Sequence, residues 1–162
     1  LLVDTLIGTW LPAWRPRLRI KETAHPKFYL FDTGVARALA GRARLPLDSA
    51  ERGPLLETWI RHELQAWCDQ GGPQGELSYW RTPSGVEVDF VWPAGKRGGV
   101  IAVKASAGVR NEERAGLREL TAATRLERAV VVYLGSRRQR YSEIDVLPVE
   151  EFLRELWAGK VL

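Results

Sequence analysis

The residues of this chain best suited to chemistry lie in Trp80-Arg81-Thr82-Pro83-Ser84-Gly85-Val86-Glu87-Val88-Asp89-Phe90-Val91 and in Val100-Ile101-Ala102-Val103-Lys104-Ala105-Ser106. Both stretches read as strands, the first entered through a Pro-Ser-Gly turn. Side chains alternate across a strand, so Glu87, Asp89 and Val91 are expected on one side, with Val86, Val88, Phe90 and Trp92 on the other. The second strand groups Val100, Ala102 and Lys104 against Ile101, Val103 and Ala105. A carboxylate on one strand with a lysine on the next suits phosphodiester hydrolysis, which needs a hard cation held by oxygens and a group that positions water. Asp89 would supply one carboxylate, a main-chain carbonyl near Val103 a second oxygen, and Lys104 the charge that orients water or steadies the leaving phosphate. Glu63, from a helix expected to pack over the sheet, would reach the same point. The plainer alternatives are an Asp89–Lys104 ion pair of structural use only, a Glu63 that caps an arginine, and a solvent-facing Glu87.

The elements that must position these groups follow from apolar spacing and turn residues. Leu1 to Trp14 is apolar and is expected to turn at Pro12 and Pro16. Lys27 to Phe31 reads as a short buried strand, and Asp32-Thr33-Gly34 as a turn and cap before a helix over Val35 to Ala40. Arg42 to Glu51 reads as a charged loop. Gly53-Pro54 is expected to open the clearest helix, running to about Asp69 and closed by Gly71-Gly72. Its stripe of Leu56, Trp59, Ile60, Leu64 and Trp67 places Glu63 mid-stripe and Glu57 on the edge. Strands are expected near 77–82, 86–92 and 99–105, then a helix over Glu112 to Thr124 with Leu117 and Leu120 inward. Ala129 to Leu134 reads as a central strand. A loop at 137–140, a strand near Ile144–Leu147 and a helix over Val149 to Trp157 complete an α/β layout with a mixed sheet flanked by helices. Residues 1–52 are expected to pack as an N-terminal segment on a core formed by 53–162.

Composition narrows the function classes. The 162 residues carry a formal net charge of +4, compatible with nucleic acid or another acidic partner. Arg81, Arg110, Arg114 and the loop arginines Arg137, Arg138 and Arg140 are the candidate phosphate contacts, although a basic loop is more often merely solvated. Cys68 is the one cysteine and reads as a buried thiol, and neither His25 nor His62 has a partner at metal-ligand spacing. No run approaches the ~18 apolar residues of a membrane helix, and no signal peptide is visible, so a cytoplasmic chain is expected. Gly95-Lys96 is followed by Arg97 instead of Ser or Thr, which is not a phosphate-binding loop, and ATP is not expected to bind here. The chain begins at Leu1 and has no methionine, and reads as a piece of a longer protein.

At these residues the chain resembles the domain of unknown function at the C-terminus of many bacterial and archaeal AAA-type ATPases. The matching pieces are Lys27 to Gly34, Gly53-Pro54-Leu55-Leu56-Glu57 with Glu63-Leu64, Tyr79-Trp80-Arg81-Thr82, Glu87-Val88-Asp89-Phe90 and Val103-Lys104-Ala105-Ser106. The closing Val149 to Leu156 looks like that family's last helix. The resemblance implies an attached ATPase module and a restriction-endonuclease-like PD-(D/E)XK core that takes Mg2+ or Mn2+. Carried over by residue, it assigns the helix acid to Glu63 with Glu57 as companion, the strand acid to Asp89 and the lysine to Lys104. Ala102 stands where the family usually has glutamate, so one metal ligand is lost.

Three readings follow. The first is a nuclease-fold accessory domain that binds or senses nucleic acid with weak or absent cleavage. The second is a protein-interaction and oligomerisation platform without a nucleic-acid role. The third is an active metal-dependent nuclease in which Glu87 or Glu63 replaces the missing ligand.

Overall fold

The computed structural model describes residues 1–15, 25–71, 75–92, 98–124, 126 and 128–161. Pro16, Gly72 and the Gly95-Lys96-Arg97 stretch lie outside them. The order is β1 (Gly8–Leu11), β2 (Lys27–Leu30), α1 (Thr33–Leu39), α2 (Ser49–Asp69), β3 (Ser78–Arg81), β4 (Glu87–Trp92), β5 (Gly99–Lys104), a 3-10 turn (Glu112–Arg114), α3 (Ala115–Ala123), β6 (Arg128–Tyr133), β7 (Gln139–Tyr141), β8 (Ile144–Pro148) and α4 (Val149–Trp157). β1 and β2 form an antiparallel pair, and the other strands a six-stranded sheet in the order β3-β4-β5-β6-β8-β7. β5, β6 and β8 run parallel, and the remaining pairs are antiparallel. The apolar runs of β5 and β6 take these inner places because both of their faces are covered. The architecture is mixed α/β.

The core lies on both faces of the sheet. On one face Ile60 and Leu64 of α2 and Phe152 and Leu156 of α4 pack with Phe90, Trp92, Ile101 and Val103. On the other, Leu117 and Leu120 of α3 pack with Trp80, Val88, Val91, Val100, Ala102 and Val131. β4 therefore departs from the simple alternation expected of it: Val91 shares a cluster with Val88, and Phe90 lies opposite with Trp92. The cause is a register irregularity, in which Ser78 pairs with Val91 but Trp80 pairs with Val88. The extra residue in β4 switches the phase of its side chains beside Asp89.

α2 begins earlier than its glycine and proline suggest. Asp48 caps Ser49–Asp69, its side chain accepting the Glu51 N–H at 2.9 Å while Glu51 reaches back to the Asp48 N–H. This reciprocal box supplies partners for end groups that the helix cannot pair itself. The supposed loop at 42–51 thus already contains the helix start, and Pro54 sits inside it. Likewise, part of the supposed basic loop at 137–140 is the edge strand β7. Among the described residues no helix is long and apolar enough to cross a membrane.

Candidate functional site

Asp89 is the best-buried carboxylate of the site, at 8 % exposure. The β4–β5 ladder runs from Trp92–Gly99 to Phe90–Ile101 and goes no further, so the next amide along β5 needs another acceptor. Asp89 Oδ2 takes the Val103 N–H at 2.7 Å. The same oxygen lies 4.0 Å from Lys104 Nζ, at the end of β5. Alternation groups Lys104 with Val100 and Ala102, yet at the strand terminus its long stem brings the ammonium to Asp89. Burial, and then the nearby charge of Glu57, push the Asp89 pKa up to about 6, with Lys104 and Lys27 opposing.

Lys27 of β2 is the centre of the cluster. Its Nζ is 3.0 Å from Glu57 Oε1, in direct contact with Glu87 Oε1, and 4.0 Å from Asp89 Oδ1. It also lies 5.1 Å from the centroid of the Tyr79 ring, whose face favours a cation. Burial disfavours the Lys27 ammonium, but Glu57, Glu87 and Asp89 more than offset it and raise its pKa. The Tyr29 hydroxyl donates to Glu57, and burial followed by the Glu57 charge push that phenol's pKa upward. Arg81 Nε sits 3.5 Å from Glu87 Oε2. Three carboxylates (Glu57, Glu87, Asp89) thus face three cations (Lys27, Lys104, Arg81) at one end of the sheet.

Glu63 is not part of this group. Its carboxylate accepts from Trp59 Nε1 at 3.1 Å and from Trp157 Nε1 at 3.0 Å, tying α2 to α4. Trp59 is 41 % exposed, so the buried stripe is Leu56, Ile60, Leu64 and Trp67. At 100° per residue Glu57 and Glu63 sit about 120° apart, on opposite edges of that stripe. The edge that looks toward β2 and β4 carries Glu57. Glu87, expected to face solvent, is instead engaged by Lys27 and Arg81.

The arginines proposed for phosphate contact divide. Arg114 is buried, with its guanidinium carbon 3.6 Å from the centroid of the Tyr141 ring, and is not available to a ligand. Arg138 binds Glu151 and Glu155 of α4, and Arg140 lies 3.6 Å from Glu143. Arg110 pairs with Glu113 yet is largely exposed, and Arg137 is exposed. Cys68 donates to the Leu64 carbonyl, and burial pushes its thiol up to about 12. His62 contacts the Leu30 carbonyl at 3.0 Å, and burial lowers its pKa.

A divalent cation, implied by the resemblance, does not fit these residues as they stand. Ala102 is 1 % exposed in the apolar cluster under α3 and offers no ligand. The oxygens that remain are turned on the Lys27 ammonium, and among the described residues no group of three acidic, histidine or cysteine side chains is spaced to hold a metal ion. Lys27 and Tyr29 are the members that motif reasoning missed. A lysine opening a short aromatic strand was the available signal.

A family model described as "Domain of unknown function (DUF4143)" matches residues 52–152. Uncharacterized protein Rv2008c of Mycobacterium tuberculosis and uncharacterized protein Mb2031c of Mycobacterium bovis are each 30% identical over 157 residues, covering 94% of this chain and 34% of their own length. The chain therefore spans about a third of the length of these curated relatives. No solved structure matches it.

Proposed function

This chain belongs to the DUF4143 family, and we propose that it is a nuclease-like accessory domain that engages nucleic acid without cutting it, in the service of an AAA-type ATPase module on a longer polypeptide. The observation that carries this reading is the pairing of Asp89 near the start of β4 with Lys104 at the end of β5, beside a buried Ala102 where a third ligand would be needed. An acid on one strand and a lysine on the next is the PD-(D/E)XK layout, and the sheet supports that layout with three parallel strands between antiparallel ones. Loss of cleavage follows from ligand count: a hard cation sheds its water only for several oxygens, and here they are missing or already engaged. Contact with phosphates would fall to Arg81 and Lys104 beside the cluster and to the exposed Arg110 and Arg137. Few of these charges are free of carboxylate partners, which supports weak and sequence-indifferent binding.

Titration of a labelled duplex and a labelled single strand at low salt tests the reading. Binding should fall steeply as salt rises, because counterion release drives it. Neither strand should be cut when Mg2+ or Mn2+ is added. Metal-dependent cleavage, or no binding at low salt, overturns it. A specific observation favours the interaction platform in the latter case. Leu47, Trp59 and Leu134 are exposed large apolar side chains lining an open cavity of about 470 Å³ between α1 and α2.

A further inference from the structure

We propose that Lys27 is a tethered counterion: its ammonium balances the charge of Glu57, Glu87 and Asp89 from within the chain, so the folded domain is indifferent to divalent cations. The cation that the nuclease-like reading implies and the residues present do not fit each other, and the inference rests on that reading. Its test reads metal and proton dependence of folding, so it can fail while nucleic-acid binding stands, and the reverse.

The three carboxylates come from two elements that meet only in the folded chain, Glu57 from α2 and Glu87 and Asp89 from β4. Carboxylates gathered at low exposure repel one another and lose hydration, a cost that must be met by a cation or by protons. β2 meets it by laying Lys27 into the gap. The ammonium touches Glu87, lies 3.0 Å from Glu57 and 4.0 Å from Asp89, and has the Tyr79 ring on a further side. A divalent ion needs carboxylate oxygens at about 2.0–2.6 Å, and no such ion can approach these oxygens while the ammonium stands between them. Tyr29, two residues along the same strand, holds Glu57 through its hydroxyl. The strand that carries the plug also orients one of its partners.

Removing the charge while keeping the apolar stem separates this from ordinary packing. Lys27→Met should lower the melting temperature at pH 7.5, and the loss should shrink at pH 5, where protons replace the missing cation. Millimolar Mn2+ should raise the melting temperature of Lys27→Met at pH 7.5 while leaving the parent unmoved. Titration calorimetry should find a Mn2+ affinity for the variant at least about tenfold above the parent's. Adding Glu57→Gln to Lys27→Met should abolish that gain. Lys27→Arg, which keeps the charge, should behave like the parent toward Mn2+. Saturable Mn2+ binding by the parent that depends on Glu57 overturns the proposal, and that arm needs no variant of Lys27 to fold. A Lys27→Met loss that neither pH nor Mn2+ alters overturns it as well.

Discussion

Asp89→Asn should leave the fold intact and raise its stability at neutral pH. The carboxylate is almost fully buried, and burial together with the Glu57 charge moves its pKa from 3.8 up to about 6. Lys104 and Lys27 oppose that shift from 4.0 Å and do not cancel it. Between pH ~4 and ~6 the folded chain therefore keeps a proton at Asp89 that the unfolded chain has already released. Unfolding in this window releases a proton, so this group's contribution to stability grows as pH falls from 6 toward 4. Above pH 6 the ionised side chain costs the fold about 3 kcal/mol, the equivalent of a shift of roughly two pH units. Asparagine keeps an oxygen for the Val103 N–H and carries no charge. Lys27 retains Glu57 and Glu87 in the variant. Urea unfolding at several pH values is the assay. The variant should exceed the parent by about 1–3 kcal/mol at pH 7.5, and the gap should shrink to about 1 kcal/mol or less at pH 4.5 and to about 0.5 kcal/mol near pH 4. A variant that is less stable than the parent by about 1 kcal/mol or more at both pH values would refute the reasoning, because Asp89 would then act as a stabilising acceptor whose charge is not costly.

Ala102→Glu should lower stability by at least about 2 kcal/mol in thermal or urea unfolding and confer no metal-dependent cleavage, because the new carboxylate enters the apolar cluster under α3 beside Trp80, Val88 and Leu117. Arg114→Ala should cost about 1–3 kcal/mol in stability through the lost stacking on Tyr141 and buried packing, with nucleic-acid affinity in the same titrations unchanged.

The elements were legible where one physical rule acted alone. Val149–Trp157 shows clean helical spacing and emerges with the bounds read for it, and the valine run of β6 lies inside the sheet as its unbroken apolarity requires. The start of α2 lies before Gly53-Pro54 because the Asp48–Glu51 box, a weaker sequence pattern that depends on two side chains turning toward each other, outweighs that strong local signal. Asp89 and Lys104 meet as neighbouring strands suggest. Glu57 and Glu63 were harder to separate. Counting Trp59 as core rotates the stripe toward Glu63, and only exposure of that indole corrects it. Lys27 lies 30 residues from Glu57 in sequence, and nothing local in either segment links the two. The irregular register of β4 is equally invisible, since the bulge exists only as a pairing with β3.

The spread of the Lys27 cluster along the chain bears on when it forms during folding. The β3–β4 hairpin and the β7–β8 hairpin close over short loops and can form early, whereas Lys27 must find Glu57 and then β4 across much longer separations. Loop-closure entropy makes such distant pairings slow relative to local ones. A chain with its sheet assembled but β2 undocked would hold Glu57, Glu87 and Asp89 against only Lys104 and Arg81, one negative charge in excess near the start of β4. The lysine that balances the finished cluster is thereby also the charge that reaches it across the longest stretch of chain, so docking of β2 closes the deficit.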